Sequence, residues 1–272
     1  MCSEESPTFE IFSQRDLAEP LEITCAAGTA VFYTHRSPDK STCNQDTIGF
    51  VVCPGGAVVL IVADGVGGEA FGEKASLLAA DTVAKTVCQA WPAEDLRPAI
   101  LDGIEHANRA VLQLGTDSAT TLAVVEIRNQ NMRGYHVGDS MTLVFGSRGA
   151  LKWRSVAHSP IGYAVESGLL EEDEAMFHED RHLVSNLVGT ENMHIEVGPV
   201  IPLTGRDTVL LASDGLFDNL HTDEIVELAR RGHLKQRLTA LTSVAHERMK
   251  QAAVDLPCKP DDLSVILFGR KC

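Results

Sequence analysis

The stretch VVLIVADGVGG, residues 58–68, ends an apolar run with an aspartate and a group of glycines. The uninterrupted apolar run at 57–63 predicts a strand buried on both faces, and Gly55-Gly56 just before it indicates a hairpin turn. Asp64 lies at the edge of this strand. One aspartate beside a glycine is typical of an ordinary turn, so this segment predicts a central strand but not a function.

Three other segments repeat this placement of an aspartate at the edge of a β-type run. They are YHVGDSMTLVF (135–145) with Asp139, VLLASDGLFDNL (209–220) with Asp214 and Asp218, and KPDDLSVILF (259–268) with Asp261 and Asp262. If the four strand ends converge, the carboxylates would repel one another and their pKa values would rise, unless cations keep them ionised. Mg²⁺ and Mn²⁺ prefer oxygen ligands, and two such ions about 3.5–4 Å apart can clamp a phosphoryl displacement. The repetition therefore favours a divalent-cation site over four unrelated turns.

Hydrophobic periodicity predicts the other elements. Further strands are expected at 30–34, 47–52, 121–127, 132–145, 208–213 and 264–268. Helices are expected over 75–87, ended by Trp91-Pro92, over 95–114 and after Gly232, and Thr222 is expected to cap a short helix. The acidic segment 158–195 is expected to be irregular. Because the strands do not alternate one by one with helices, their order predicts an α+β fold rather than β-α-β units.

Composition narrows the possible functions. The chain has 272 residues and a formal net charge of −15, which argues against general binding of nucleic-acid phosphates. It has no run of roughly 18 apolar residues that could span a bilayer, and its start, MCSEESPTFE, lacks the pattern of a signal peptide. Its seven cysteines include no CxxC pair, so we expect reduced thiols. These features predict a cytoplasmic protein that binds neither nucleic acid nor membrane.

The ordered set of motifs resembles that of the metal-dependent serine/threonine protein phosphatases, the type 2C or PPM family. The motifs are CNQD (43–46), DGVGG (64–68), SATT (118–121), VGDS (137–140), SDGLFDNL (213–220) and DDLSVIL (261–267). They cover nearly the whole chain in the order that the family has. The resemblance implies one PPM-type domain over 1–272, built as a four-layer α-β-β-α sandwich with two mainly antiparallel sheets between helices. We expect a monomer.

By position, the resemblance assigns two Mn²⁺ or Mg²⁺ ions to a group of aspartates. Asp64 matches the carboxylate that bridges both ions, and the backbone carbonyl of Gly65 matches a ligand of one ion. Asp214 and Asp261 match the remaining direct ligands, and Asp46 matches an acid that holds metal-bound water. The implied reaction is hydrolysis of phosphoserine and phosphothreonine in proteins by a metal-activated water, without a phosphoenzyme.

The resemblance also implies a third cation and a substrate-contacting region. Asp139 and Asp218 match positions at which some members bind a weaker third ion together with Asp214. Asp262 lies where the family has Asn or Asp beside the ligand. Residues 158–196 resemble the family's flap, which contacts substrates and varies most.

Three positions depart from the family pattern. Gln45 replaces the Glu that usually precedes the acid of CNQD, and Ser41 stands where an Arg commonly grips the substrate phosphate. Arg36 and Lys40 are the nearby cations, and we predict that one of them binds the phosphate instead; a lysine would act as a point charge. Val66 replaces the His of the DGHGG form of the loop, which is proposed to protonate the leaving group.

Two alternative functions compete with phosphatase activity. His178-Glu179-Asp180-Arg181-His182 matches the HExxH signature of zinc metallopeptidases, in which both histidines lie on one face of a helix. The two central residues are charged, however, and no third ligand is evident downstream. The other alternative is a catalytically weak regulatory or binding protein with the PPM fold. The departures at Ser41 and Gln45 favour it, whereas the complete set of predicted direct ligands disfavours it.

Overall fold

The apolar runs of the sequence form the strands of two antiparallel sheets. The computed structural model describes residues 6–38, 40–66, 71–115, 117–251 and 256–270. The strands in chain order are β1 (Thr8–Ser13), β2 (Leu21–Thr24), β3 (Thr29–His35), β4 (Asp46–Val52), β5 (Val58–Val66), β6 (Ala119–Thr120), β7 (Leu122–Arg128), β8 (Asn131–Val137), β9 (Met141–Gly146), β10 (Leu151–Arg154), β11 (Glu196–Val197), β12 (Ile201–Pro202), β13 (Asp207–Ala212) and β14 (Leu263–Gly269).

In each sheet, some neighbouring strands are consecutive in the chain and others are far apart in it. The first sheet has the order β1-β4-β5-β7-β8-β11, with β6 beside β5 and β12 beside β8. The second has the order β10-β9-β13-β14-β3-β2. The central strands β5 and β14 are apolar on both faces because both faces of each sheet are covered.

The helices in chain order are α1 (Gly72–Ala90), α2 (Arg97–Leu112), α3 (Pro160–Glu166), α4 (Glu172–Ala175), α5 (Asp214–Phe217), α6 (Thr222–Ala229) and α7 (Leu234–Lys250). The outer face of the first sheet is covered by α1 and α2, and that of the second sheet by α5–α7. One core lies between α1, α2 and the first sheet, a second lies between the two sheets, and a third lies between the second sheet and α5–α7. The predicted α-β-β-α sandwich is therefore confirmed.

The alternation along β5 shows how the sequence builds two of these cores at once. Val59 and Ile61 pack towards α1 and α2, whereas Leu60 and Val62 pack towards the second sheet. The stripe that predicted the first helix is likewise buried, with Val83 and its neighbours against the first sheet.

The structure corrects three details of the sequence-based prediction. Residues 132–145 form two strands, because the chain leaves the first sheet at Gly138 and enters the second as β9. The segment 158–195 contains α3 and α4, and the Ser159 hydroxyl caps α3 by accepting a 2.8 Å hydrogen bond from Gly162 N. Thr222 is the first residue of α6, whose N-cap is His221, in a capping box with Glu224.

No helix in the described ranges is both long and apolar enough to cross a bilayer. The five cysteines within those ranges are free.

Candidate active site

Asp46 and Asp64 form a directly opposed pair on the adjacent strands β4 and β5. Asp46 is buried, with 1% of its surface exposed. Burial and the negative charge of Asp262 raise the pKa of Asp46 well above its usual range. Burial and the charge of Asp46 do the same for the pKa of Asp64. A buried and a half-buried carboxylate in this arrangement destabilise each other unless positive charge is added.

The other acidic strand ends converge on Asp64, as the sequence predicted. Asp214 begins α5 directly after β13, and Asp261 precedes β14, which pairs with β13. Asp139 lies in the connection from β8 to β9. The charges of Asp214, Asp261 and Asp139 all contribute to the raised pKa of Asp64. One edge of the sandwich therefore collects carboxylates from both sheets.

The SATT segment holds the backbone at Asp64. Thr120 Oγ1 donates a 2.8 Å hydrogen bond to Asp64 O, and Thr121 N donates another of 2.8 Å to the same oxygen. Thr121 Oγ1 accepts from Asp64 N at 3.1 Å and lies 2.6 Å from Ser140 Oγ, next to Asp139. These two threonines of the SATT motif therefore position Asp64.

Close backbone packing requires glycine beside Asp64. A Cβ added at Gly65 would lie 2.1 Å from Gly72 O in the first turn of α1 and 2.8 Å from Gln45 O. The loop that follows, including Gly67 and Gly68 of the predicted DGVGG motif, lies outside the described residues.

One carboxylate oxygen of Asp46 accepts a hydrogen bond, and the other has no donor among the described residues. Ser213 Oγ donates to Asp46 Oδ2 at 2.8 Å, and Ser264 N donates to Ser213 Oγ at 3.0 Å. Within the described residues, Asp46 Oδ1 and Asp214 Oδ1 are buried and accept no hydrogen bond. An ionised oxygen buried without a donor is costly, so both atoms are suited to binding a cation or its water.

Asp262 anchors the loop that precedes β4. Its Oδ1 accepts from Ser37 N at 2.8 Å, and its Oδ2 accepts from Gln45 N at 2.7 Å and from Lys40 Nζ at 2.5 Å. Lys40 Nζ also donates to Gln45 Oε1 at 2.8 Å. Lys40, one of the two cations predicted to bind phosphate, is thus held within this loop, beside the glutamine that replaces the family's glutamate.

Arg36, the other predicted phosphate ligand, lies nearer to solvent. Its Nε is 3.2 Å from Asp16 Oδ2, and 43% of its side chain is exposed. The role of Arg36 or Lys40 in binding phosphate stays a prediction.

Lys259 is a site residue that the sequence analysis did not single out. Its Nζ lies 2.5 Å from Asp214 Oδ2, 2.6 Å from Asp218 Oδ2 and 3.3 Å from Asp261 Oδ2. Burial alone would lower the pKa of Lys259, but the three carboxylates together raise it above its usual value. The lysine is therefore a fixed positive charge inside the acidic cluster.

One lysine does not neutralise the cluster. Burial and the charges of Asp214 and Asp218 raise the pKa of Asp139 to about 8, although Lys259 opposes the shift. Burial and Asp214 likewise raise the pKa of Asp261 to about 7 and that of Asp218 to about 6. The site thus needs further positive charge for its carboxylates to be ionised near neutral pH.

The predicted flap region is joined by a hydrogen bond to the segment that carries Lys259, and a cavity lies between its helices and the acidic cluster. Arg181 Nη2 donates a 2.8 Å hydrogen bond to Cys258 O, directly before Lys259. A cavity of about 120 Å³ separates α3 and α4 from the cluster, and its wall includes Asp139 and Met176.

Two histidines and a glutamate brace the ends of this region. Among the described residues, His136, His158 and Glu196 form the one group of three His, Cys, Asp or Glu side chains whose ligand atoms all lie within 4.8 Å of one another. His158 Nδ1 accepts from Gly138 N at 3.2 Å and from Asn186 Nδ2 at 2.8 Å. Two hydrogen bonds to the backbone of His194 fix the orientation of the Asn186 amide. Asn186 Nδ2 donates to His194 O at 2.8 Å, and His194 N donates to Asn186 Oδ1 at 3.1 Å.

These hydrogen bonds decide what the group can do. Because both neighbours of His158 Nδ1 are donors, the ring proton lies on Nε2, which faces Glu196 Oε2 at 3.3 Å. His136 Nε2 lies 2.8 Å from Val156 O and therefore also carries its proton. Neither Nε2 offers a lone pair to a metal, so the group is a hydrogen-bonded brace.

The HExxH segment does not form a zinc site. Glu179–His182 is a single 3₁₀ turn that begins after His178, and His178 Nδ1 caps it by accepting from Asp180 N at 3.1 Å. The two histidines therefore do not share the face of an α-helix, as a zinc peptidase would require.

Comparisons with known proteins identify the family of this chain. The sequence model of the family described as protein phosphatase 2C matches residues 34–254. Protein phosphatase PhpP of Streptococcus pneumoniae is 30% identical over 198 residues, which cover 70% of this chain and 79% of that protein.

Solved structures of serine/threonine phosphatases share this fold. The PPM Ser-Thr phosphatase MsPP from Mycobacterium smegmatis, in complex with cacodylate, has a TM-score of 0.74 at 26% identity, covering 91% of this chain and 100% of that one. The catalytic domain of the serine/threonine protein phosphatase PstP, in complex with two manganese ions, has a TM-score of 0.71 at 21% identity, covering 88% of this chain and 96% of that one. The chain therefore belongs to the protein phosphatase 2C family of metal-dependent serine/threonine phosphatases.

Proposed function

We propose that this protein removes phosphate from phosphoserine and phosphothreonine side chains of other proteins, with two divalent cations, Mn²⁺ or Mg²⁺, at the acidic cluster. Asp64, Asp214 and Asp261 would bind the ions directly, together with the carbonyl of Gly65. Asp46 would hold one ion through water. The observation that carries the proposal is the convergence of these carboxylates, one buried and three half-buried, from both sheets, with raised pKa values that additional positive charge would relieve.

The donor set fits hard divalent cations. Every predicted ligand is an oxygen atom, which is the ligand type that Mn²⁺ and Mg²⁺ prefer. Asp46 Oδ1 and Asp214 Oδ1, which lack donors among the described residues, provide free acceptors for an ion or its water. The two manganese ions in the structure of PstP support the same number here.

In this proposal, the neighbouring residues hold the metal-binding carboxylates in place and do not themselves act as acids or bases. Bound divalent ions would provide a water of lowered pKa and offset the negative charge of the phosphate. Ser213 holds Asp46 Oδ2, which leaves Oδ1 as the acceptor for a water. Thr120 and Thr121 hold the backbone of Asp64, so that its carboxylate cannot drift away from Asp46 across the strand pair.

Phosphate binding is proposed to involve Arg36 or Lys40, because Ser41 replaces the usual arginine. Arg36 is the better placed for an incoming ligand, since its side chain is 43% exposed and its guanidinium pairs with Asp16 near the surface. Lys40 would have to leave Asp262 and Gln45 to reach a phosphate.

Phosphate release from a phosphothreonine peptide tests the proposal. The purified protein should release phosphate with added Mn²⁺ and stop in the presence of a chelator. Asp64→Asn should abolish the release, whereas Asp102→Asn, which changes an exposed aspartate on α2, should not.

The same assay distinguishes the alternative of a catalytically weak regulator. A regulator would bind the phosphopeptide, measured by fluorescence polarisation, but release no phosphate at any Mn²⁺ concentration. Release that persists unchanged in the chelator would contradict the metal-dependent reaction itself.

A further inference from the structure

Lys259 sits in the acidic cluster as a shared counter-ion. Its ammonium carries three N–H donors, and three carboxylates, those of Asp214, Asp218 and Asp261, lie within 3.3 Å of Nζ. The side chain is 20% exposed, so this contact differs from an ion pair on the protein surface. The carboxylates thus surround the ammonium.

A buried side chain holds the backbone of Lys259 in place. Asn219, with no exposed surface, accepts from Lys259 N at 2.9 Å and donates to Lys259 O at 2.9 Å. The preceding carbonyl, Cys258 O, accepts from Arg181 of the flap region. Both backbone polar atoms of the lysine are therefore bound by one residue, which directs its side chain into the cluster.

The ammonium overlaps the position predicted for a third ion. Asp139 and Asp218 were predicted to bind that ion together with Asp214. Two of these three carboxylates already bind Lys259, and its charge also acts on Asp139. A divalent ion at the same carboxylates would lie against a fixed positive charge that repels it.

We infer that Lys259 takes the place of the third ion, so that the protein binds two divalent cations and carries the third positive charge in its own chain. This inference rests on the proposed function, because it takes the main pair of ions as given. The main pair keeps acceptors beside the lysine. Asp214 gives Oδ2 to the ammonium, while its buried Oδ1 has no donor among the described residues. Asp261 Oδ2 makes the longest of the three contacts with the ammonium, at 3.3 Å.

Counting bound Mn²⁺ tests the inference. Isothermal titration calorimetry and native mass spectrometry on the full chain should give two ions for the wild type and three for Lys259→Met, which keeps the length of the side chain but removes its charge. Lys152→Met is the matched control, because Lys152 forms a 2.6 Å ion pair with Asp207 at the opposite end of β13. It should bind two ions. The double variant Lys259→Met/Asp139→Ala should return to two, which would place the added ion at Asp139.

Melting temperature gives a readout that does not depend on activity. In a chelator, Lys259→Met should melt at a lower temperature than Lys152→Met, because several carboxylates lose their counter-charge, and saturating Mn²⁺ should close the gap. Three ions in the wild type, or two in Lys259→Met, would overturn the inference and leave the proposed function standing. A wild type that binds no ion would overturn both. If Lys259→Met fails to fold, the wild-type count decides, since two ions support the inference and three exclude it.

Discussion

Asp46 and Asp64 face each other across the β4–β5 pair, at the end of the ladder where both strands reach the edge of the sheet. Directly opposed residues in an antiparallel pair have Cα atoms roughly 4.5–5.5 Å apart, and like charges in such a position destabilise the sheet. Ser213 and the SATT segment nevertheless hold both residues in place. The protein thus maintains a repulsive pair that only added positive charge can relieve, as expected of a binding site rather than of a structural contact.

Asp64→Asn should change stability in opposite directions with and without metal. In a chelator, the variant should melt at the same temperature as the wild type or higher, because a repelled carboxylate is removed. With Mn²⁺ at about 100 times its dissociation constant, the wild type should gain roughly 2.7 kcal/mol, or about 5–10 °C, and the variant much less.

Turnover of Asp64→Asn and of Asp214→Asn should fall by about 100-fold or more, because each removes a charge that binds the ions. Calorimetry with Mn²⁺ and phosphate release together check this. Unchanged Mn²⁺ affinity in both variants would place the ions elsewhere, and Asp102→Asn controls for the substitution itself.

Thr121→Val should destabilise the protein and weaken Mn²⁺ binding. The change keeps the shape of the side chain but removes the acceptor for Asp64 N and the contact with Ser140 Oγ. A buried donor left without a partner costs about 1–3 kcal/mol, measurable by urea unfolding. Thr121→Ser should restore most of both properties. Thr239→Val, on the exposed face of α7, is the control, and an equal loss in that variant would deny Thr121 a specific role.

Arg36→Ala should raise KM for phosphate esters more than it lowers kcat, because the lost contact would be mainly to bound substrate. Lys40→Ala should instead lower the melting temperature, since Lys40 joins Asp262 to Gln45. Steady-state kinetics and thermal melts separate the two roles. Lys85→Ala, which removes an exposed lysine paired with Asp81 on α1, controls for the change in net charge. Normal kinetics in Arg36→Ala, Lys40→Ala and the double variant would show that neither cation binds phosphate.

His158 should make the folded protein sensitive to acid. Burial and the neighbouring His136 lower the pKa of His158 to about 4, whereas an unfolded histidine titrates near 6.5. The unfolded chain therefore binds more protons between these values, and stability falls as the pH falls from about 6.5 towards 4. The full effect is about 3 kcal/mol, at roughly 1.4 kcal/mol for each pKa unit.

His158→Asn, whose Oδ1 takes the position of Nδ1 and retains an acceptor for Gly138 N, should lose this part of the pH dependence. Urea unfolding in a chelator at several pH values measures the free energy of unfolding of the variant and of the wild type. The carboxylates titrate in both proteins, so their contribution cancels in the difference between the two free energies. His182→Gln, an exposed histidine, should keep the wild-type slope. Equal slopes for the wild type and His158→Asn would contradict the lowered pKa of His158.

The elements that sequence analysis predicted well are those whose pattern depends only on how a single segment is buried. The run before Asp64 is apolar because both faces of β5 are covered, and the stripe around Val83 is apolar because it packs on a sheet. Both conditions leave a periodic signal in the sequence. The acidic strand ends were recognisable for a related reason, since an aspartate at the edge of a buried strand stands out against its neighbours.

The predictions that failed, and the residue that was missed, depend on contacts between distant segments. Gly138 marks a passage between sheets, but nothing local distinguishes it from a hairpin glycine. His221 rather than Thr222 caps α6 because its side chain and Glu224 satisfy each other's backbone donors. Lys259 was missed because its importance depends on Asp214 and Asp218, some forty residues away, and on an amide from Asn219.

The position of β14 has a consequence for the newly made enzyme. This strand lies between β13 and β3, and the segment just before it carries Lys259, Asp261 and Asp262. A ribosome makes these residues after all the other carboxylates of the cluster, and until β14 inserts, the second sheet remains split in two. A nascent chain can therefore display most of its acidic side chains and still lack a complete catalytic centre. Phosphatase activity would therefore begin only after β14 has been made and has inserted between β13 and β3.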